Sequence, residues 1–199
     1  MGRRKQGVQI MTNSQSIRTF ICLEIPEAIR ELIDERATKV LRKSGARCSF
    51  VRPENLHITL KFLGDVETSR IDNLSQEIVK AVGNTPSFSL SLEGVGSFGG
   101  KKPKVVWAAI GGETERLAEL AVTIDKTMAG KGFSRERRRF KPHLTIARVR
   151  QSEGFDRLIS AIESCDLPRE EFTANTVIFM KSTLTPAGSI YEPIAEFGL

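Results

Sequence analysis

The sequence predicts an α+β fold in which largely antiparallel sheets pack on helices. Three observations predict it. Its segments run strand, helix, two strands, helix, two strands, helix, strand, helix, two strands, which is not the strict alternation of a doubly wound sheet. Several segments alternate apolar and polar residues, as half-buried strands do. The chain has 199 residues, 40% hydrophobic and 27% charged, which suits a globular protein with a core of its own.

The elements follow in order. Thr19-Phe20-Ile21-Cys22-Leu23-Glu24-Ile25 is a short apolar run with β character, closed by Pro26. Ile29, Ile33, Ala37, Val40 and Leu41 then recur at helical spacing, and Gly45 supplies a stop. Residues 48–51 and 56–63 read as strands separated by the turn residues Arg52-Pro53-Glu54-Asn55. A second helix fits 69–82, with Ile71, Leu74, Ile78 and Val82 on one stripe. Phe88, Leu90 and Leu92 alternate with serines as a strand. The glycine-rich 94–100 lacks the Gly-Lys-Ser/Thr ending of a phosphate loop and reads as a hairpin loop before a strand at 105–110. Thr114 is placed to cap a third helix carrying Leu117, Leu120, Ala121, Ile124 and Met128. A strand at 143–149, a short helix around Leu158 and Ile162, and two strands joined through Pro186-Ala187-Gly188 complete the chain.

Net charge is +6, but the basicity is local. Residues 131–150 hold eight Lys and Arg against Glu136 alone, a net of +7. A local basic patch favours a polyanionic partner. No apolar run approaches the length of a membrane span, and residues 1–16 form a basic, polar tail without the apolar stretch of a signal peptide. Three scattered cysteines, Cys22, Cys48 and Cys165, suit reduced thiols in a cytoplasmic protein and make neither a disulfide framework nor a zinc knuckle.

The two histidines are the strongest signal. They occur as His57-Ile58-Thr59-Leu60 and His143-Leu144-Thr145-Ile146, both in the frame His, apolar, Thr, apolar. Thr fills 14 of 199 positions, so finding it two places after both histidines by chance is roughly a 1 in 200 event. On a strand, alternation puts His57, Thr59 and Lys61 on one face and Ile58, Leu60 and Phe62 on the other, anchored in a core. His143 and Thr145 repeat the arrangement. Brought together across a groove, two imidazoles supply a base and an acid near neutral pH, and two hydroxyls donate to phosphate oxygens. That set can open a strained cyclic phosphodiester without a metal, and two histidines with no third ligand motif do not compose a metal site. The near symmetry of the motifs leaves acid and base undistinguished.

Around these motifs stand Arg18-Thr19-Phe20-Ile21, the segment from Val51 to Gly64, Lys141-Pro142-His143-Leu144-Thr145-Ile146-Ala147-Arg148, and the segment from Ser182 to Tyr191. On these segments the chain from about Ile17 to Leu199 resembles the 2H phosphoesterase superfamily. More narrowly it resembles the RNA 2',3'-cyclic phosphodiesterases once described as 2'-5' RNA ligases. The resemblance implies a single bilobed domain over 17–199, with two pseudo-symmetric lobes and the active site in the groove between them. It implies His57 as proton donor, His143 as proton acceptor, a 2'-phosphate product, and Arg148 as a phosphate contact. Strict alternation places Arg148 on the wrong face, so it needs a bulge to reach the site.

Lys61 is expected on the cleft face by parity, and Phe50 is considered for stacking on a base, although a core position suits it better. Arg138, Arg139 and Lys141 are expected to contact RNA. The expected partner is an oligonucleotide with a 2',3'-cyclic phosphate end, with no cofactor, no membrane and a monomeric state. The same site run backwards can join such an end to a 5'-OH. Two other readings stay open: a phosphodiesterase for 2'-5' oligonucleotides or cyclic nucleotide derivatives, and a non-catalytic RNA-binding module.

Overall fold

The computed structural model describes residues 15–151 and 153–199. Most of the expected tail, through residue 14, lies outside the described residues. Its last residue, Ser16, opens the first strand, β1 (Ser16–Leu23).

Pro26 fixes φ for a helix start, and the Ile29/Ile33/Ala37/Leu41 stripe is buried as its spacing predicts. The helix runs as α1 (Glu27–Ile33), a π turn (Asp34–Thr38) and α2 (Lys39–Lys43), ending at Gly45 with φ of 70°. Then come β2 (Cys48–Phe50), a 3₁₀ turn (Pro53–Asn55), β3 (Ile58–Glu67) and, after another 3₁₀ turn, α3 (Ile71–Val82). β4 (Phe88–Phe98) and β5 (Val105–Gly112) form a hairpin. α4 (Thr114–Ala129), β6 (His143–Val149), α5 (Phe155–Glu163), β7 (Glu171–Ala174), β8 (Thr176–Thr185) and β9 (Gly188–Gly198) follow.

Two antiparallel sheets result, one ordered β3-β1-β8-β9 and the other β2-β6-β5-β4-β7. One continuous core runs from the inner face of the first sheet (Ile21, Leu23, Ile58) through the helices to that of the second (Leu92, Val106, Leu144). The opposite face of the first sheet carries a separate small cluster of Phe20, Cys22 and Ile178. The sheets touch where β3 meets β6, the two strands that carry the motifs.

The α+β expectation holds, with three local differences. Residues 94–98 are strand, not loop: a bulge with Gly94 at φ 93° keeps β4 on β5 as far as Phe98. Thr114 is the first helical residue and Glu113 is the cap; its carboxylate accepts the Ser89 N–H at 2.7 Å. β7, four residues long and bounded by polar loops, has no sequence signature and exists through pairing with β4.

Candidate active site

Each histidine sits at the start of its strand, and the backbone there orients its ring. The 3₁₀ turn before β3 presents the Asn55 carbonyl to His57, whose Nδ1–H donates to it at 2.7 Å. Arg52 Nη2 and Asn55 Nδ2 both donate to the Ser189 carbonyl, at 3.0 and 2.9 Å, tying this turn to β9. In the second motif His143 Nδ1–H donates to the Lys141 carbonyl at 2.8 Å. Both rings therefore hand Nδ1–H to the carbonyl two residues back, which leaves Nε2 as the acceptor nitrogen of the neutral ring. His57 Nε2 lies 3.0 Å from Thr59 Oγ1.

Aromatic side chains wall each imidazole. Phe20 lies 4.8 Å from His57 between ring centroids, and Tyr191 meets it edge-on at 5.4 Å. Phe98 meets His143 edge-on at 5.1 Å and packs on Trp107 at 5.2 Å. Trp107 pairs across the sheet with Thr145, and Ala109 with His143. Gly96 leaves the room for this, since a Cβ there would fall 2.4 Å from the indole ring.

Burial pushes the His57 pKa down to about 4, against an upward pull from its bond to Asn55; the charges of Arg148 and His143 lower it further. Residues 91 and 86 positions away in sequence thus act electrostatically on one imidazole, so the second motif and Arg148 lie within electrostatic reach of the first. The unliganded His57 is neutral at pH 7, with a lone pair on Nε2.

The bulge that Arg148 needs is present. Val106 pairs with Ala147 and Trp107 with Thr145, so Ile146 is the extra residue and parity flips beyond it. Ala147 turns into the core and Arg148 joins the His143/Thr145 face.

The same device overturns the expectation for Lys61. Cys22 pairs with Thr59 and Ile21 with Lys61, so Leu60 is a bulge and Lys61 turns to the core face. It is only 7% exposed there, and its Nζ donates to Asp125 Oδ1 and the Ser134 carbonyl, each at 2.6 Å. Phe62, expected in the core, moves to the His57 face and is 59% exposed. Phe50 is not in the site either. Its neighbour Ser49 pairs with Arg148, so Phe50 points to the opposite face, where Arg42 covers its ring at 4.4 Å.

Arg138 and Arg139 are exposed and line a depression of about 600 Å³ against α4, with Leu60, Val122 and Phe140, and neither histidine nor either motif threonine borders it. Lys141 is exposed beside His143 and contributes its carbonyl. The three cysteines are unpaired, and burial raises the pKa of each thiol. Among the described residues, no three His, Cys, Asp or Glu gather as metal ligands, and no helix is long and apolar enough to cross a membrane. Sequence reasoning missed Phe98 and Trp107 as walls of the site. The signal was strand parity, hidden for Phe98 by treating 94–100 as a loop and left unused for Trp107 within the expected strand at 105–110.

Residues 25–185 match the family model of the 2'-5' RNA ligase superfamily. The chain is 34% identical to a Thermotoga maritima protein named RNA 2',3'-cyclic phosphodiesterase, over 90% of this chain and 94% of that one. It is 35% identical to a Methanocaldococcus jannaschii protein of the same name, over 91% of this chain and 100% of that one. Among solved structures, E. coli LigT complexed with 3'-AMP superimposes with a TM-score of 0.73 at 25% identity, covering 93% of this chain and 99% of LigT. Two antiparallel sheets meeting at paired His-x-Thr strands, and a family match across most of the chain, lead to one conclusion: the chain belongs to the 2'-5' RNA ligase superfamily, the 2H phosphoesterases.

Proposed function

We propose that this protein hydrolyses RNA ends bearing a 2',3'-cyclic phosphate to 2'-phosphomonoesters, with His57 and His143 as acid and base. The observation that carries this reading is the matched presentation of the two rings. Both have Nδ1 committed to a backbone carbonyl, both offer Nε2, and both have a threonine two residues on. Two groups of one kind held in one tautomer suit a reaction that needs a proton taken at one oxygen and returned at another.

In the forward direction one Nε2 takes a proton from water as its oxygen attacks phosphorus. The bond from phosphorus to the 3' oxygen breaks, and the other Nε2–H protonates that oxygen, leaving a 3'-OH and a 2'-phosphate. Thr59, Thr145 and Arg148 hold the non-bridging oxygens as charge builds. His57 acts as donor and His143 as acceptor. Since His57 is neutral in the empty site, it takes up its proton with the substrate, whose phosphate offsets Arg148 and favours the charged ring. With a 5'-OH in place of the attacking water, the same steps form a 2'-5' linkage: the 5' oxygen bonds to phosphorus, the bond to the 3' oxygen breaks, and the 3'-OH is released.

Both histidines, both threonines and Arg148 come from one chain, which supports a monomeric enzyme. Its unpaired thiols suit a reducing cytoplasm. Exposed Arg138, Arg139 and Lys141 extend positive charge toward the body of the RNA.

The test is to incubate EDTA-treated protein with a short oligonucleotide ending in a 2',3'-cyclic phosphate and identify the product isomer. The expected product is the 2'-phosphate. A 3'-phosphate, or dependence of turnover on added metal, contradicts the mechanism.

A further inference from the structure

Residues 130–142, between α4 and β6, form neither helix nor strand, yet their end sets the state of a histidine. The Lys141 carbonyl accepts the His143 Nδ1–H at 2.8 Å, and that bond fixes which ring nitrogen stays free. A backbone without a ladder of its own keeps its place only through partners elsewhere. Arg70 holds the start of the segment: its Nη2 donates to the Lys131 carbonyl at 2.7 Å, and its guanidinium lies 5.0 Å from the Phe133 ring centroid. The buried pair Lys61–Asp125 holds the middle. Lys61 Nζ donates to the Ser134 carbonyl, Asp125 Oδ2 accepts Arg135 Nε, and Asp125 Oδ1 accepts the Glu136 N–H. Among the described residues, this is the segment's last hydrogen-bonded hold on another element before β6.

Stability alone does not account for a charged pair at this place. Apolar side chains of similar volume fill such a space about as well as a buried ion pair does. What they lack is a directional bond to a backbone carbonyl and another to a backbone N–H. The ammonium also stands on β3, the strand of the first motif, just past the Leu60 bulge. The hold therefore runs from the strand that carries Thr59 to the approach of His143.

We infer that Lys61 and Asp125 are positioning residues for the reaction. Through the Ser134 carbonyl and the Glu136 N–H they hold the approach to His143, so that Lys141 keeps Nδ1–H and Nε2 stays free to take a proton. This rests on the reading of His143 as proton acceptor above, and the two fail separately.

The experiment separates hold from stability by crossing two proteins. Lys61→Met with Asp125→Leu keeps the packing and removes the bonds. Asp125→Asn leaves the ammonium without its countercharge but keeps Oδ1, which still accepts from Lys61 and Glu136. Urea midpoints should rank the double variant above Asp125→Asn. Activity on a 2',3'-cyclic-phosphate oligonucleotide should rank them the other way. In the double variant kcat per folded molecule should fall roughly 10- to 100-fold with KM little changed, and Asp125→Asn should recover most of that loss. Nitrogen NMR at alkaline pH should show His143 protonated on Nδ1 in wild type and as a mixture of tautomers in the double variant. A wild-type kcat or unchanged His143 shifts in the double variant overturns the inference, as does an Asp125→Asn protein equally slow. If the double variant does not fold, Lys61→Met alone, in which Arg135 and the Glu136 N–H still satisfy Asp125, is read the same way. If wild type hydrolyses no cyclic phosphate, the functional reading fails and the tautomer comparison decides this one: a mixture in the double variant supports it, and a single tautomer overturns it.

Discussion

At the scale of single residues, the proposed chemistry depends on where His57 keeps its proton. The unfolded side chain titrates near 6.5, the folded one at about 4. Below pH 6.5 the unfolded chain therefore takes up a proton that the folded chain refuses. Stability falls as pH drops from about 6.5 to about 4, by up to about 3 kcal/mol, and this contribution levels off below 4. His57→Gln should remove it: urea unfolding at pH 7 and pH 4.5 should differ less in the variant than in wild type. By NMR, the His57 ring should titrate near 4 in wild type and higher in Arg148→Gln, because Arg148 depresses it. An unchanged value would separate Arg148 from the site. The histidines and threonines were legible in sequence because a repeated frame holds both histidines of the chain. The aromatic walls were not, since Phe20, Phe98, Trp107 and Tyr191 come from four strands that only the fold brings to the rings.

At the scale of elements, two single-residue bulges decide which side chains share the face of the two histidines. Parity reasoning correctly paired His57 with Thr59 and His143 with Thr145, because no bulge falls between them. It failed for Lys61 and Phe62, beyond Leu60, and required a bulge for Arg148, beyond Ile146. A bulge is set by pairing with the neighbouring strand, so periodicity within one strand does not reveal it.

The cost of turning Lys61 inward is met by Asp125, which also accepts Arg135 Nε at 2.6 Å and the Glu136 N–H at 3.0 Å. Burial raises the Asp125 pKa, but these donors outweigh it and hold the carboxyl below its ordinary value. The pair therefore contributes stability above about pH 4 that is lost as pH falls further, a window below that of His57. Asp125→Ala strands the Lys61 ammonium and should cost about 3 kcal/mol or more, whereas Lys61→Met with Asp125→Leu should cost much less. Urea midpoints of the three proteins check this; equal losses in the single and double variants would refute the ion-pair account. The same network pins residues 134–136, so Asp125→Ala should also loosen the basic segment leading into His143.

At the scale of the whole molecule, the α+β class was legible because helix stripes and strand alternation are local. The sheet orders β3-β1-β8-β9 and β2-β6-β5-β4-β7 are not, since β1 sits between strands more than 100 residues apart. That long-range pairing sets Tyr191 of β9 against a histidine at the mouth of β3. The first sheet carries one histidine, the second carries the other, and they act on one phosphorus atom only if the sheets hold their relation. Losses in such a unit do not multiply, because a missing acid makes the base idle. The decisive measurement is kcat/KM on a 2',3'-cyclic-phosphate oligonucleotide for His57→Ala, His143→Ala and the double variant. Each single change should cost roughly 10²–10⁴-fold, and the double variant should be within about tenfold of the slower single one. Losses that multiply in full, or a wild-type rate in either single variant, would contradict a shared site.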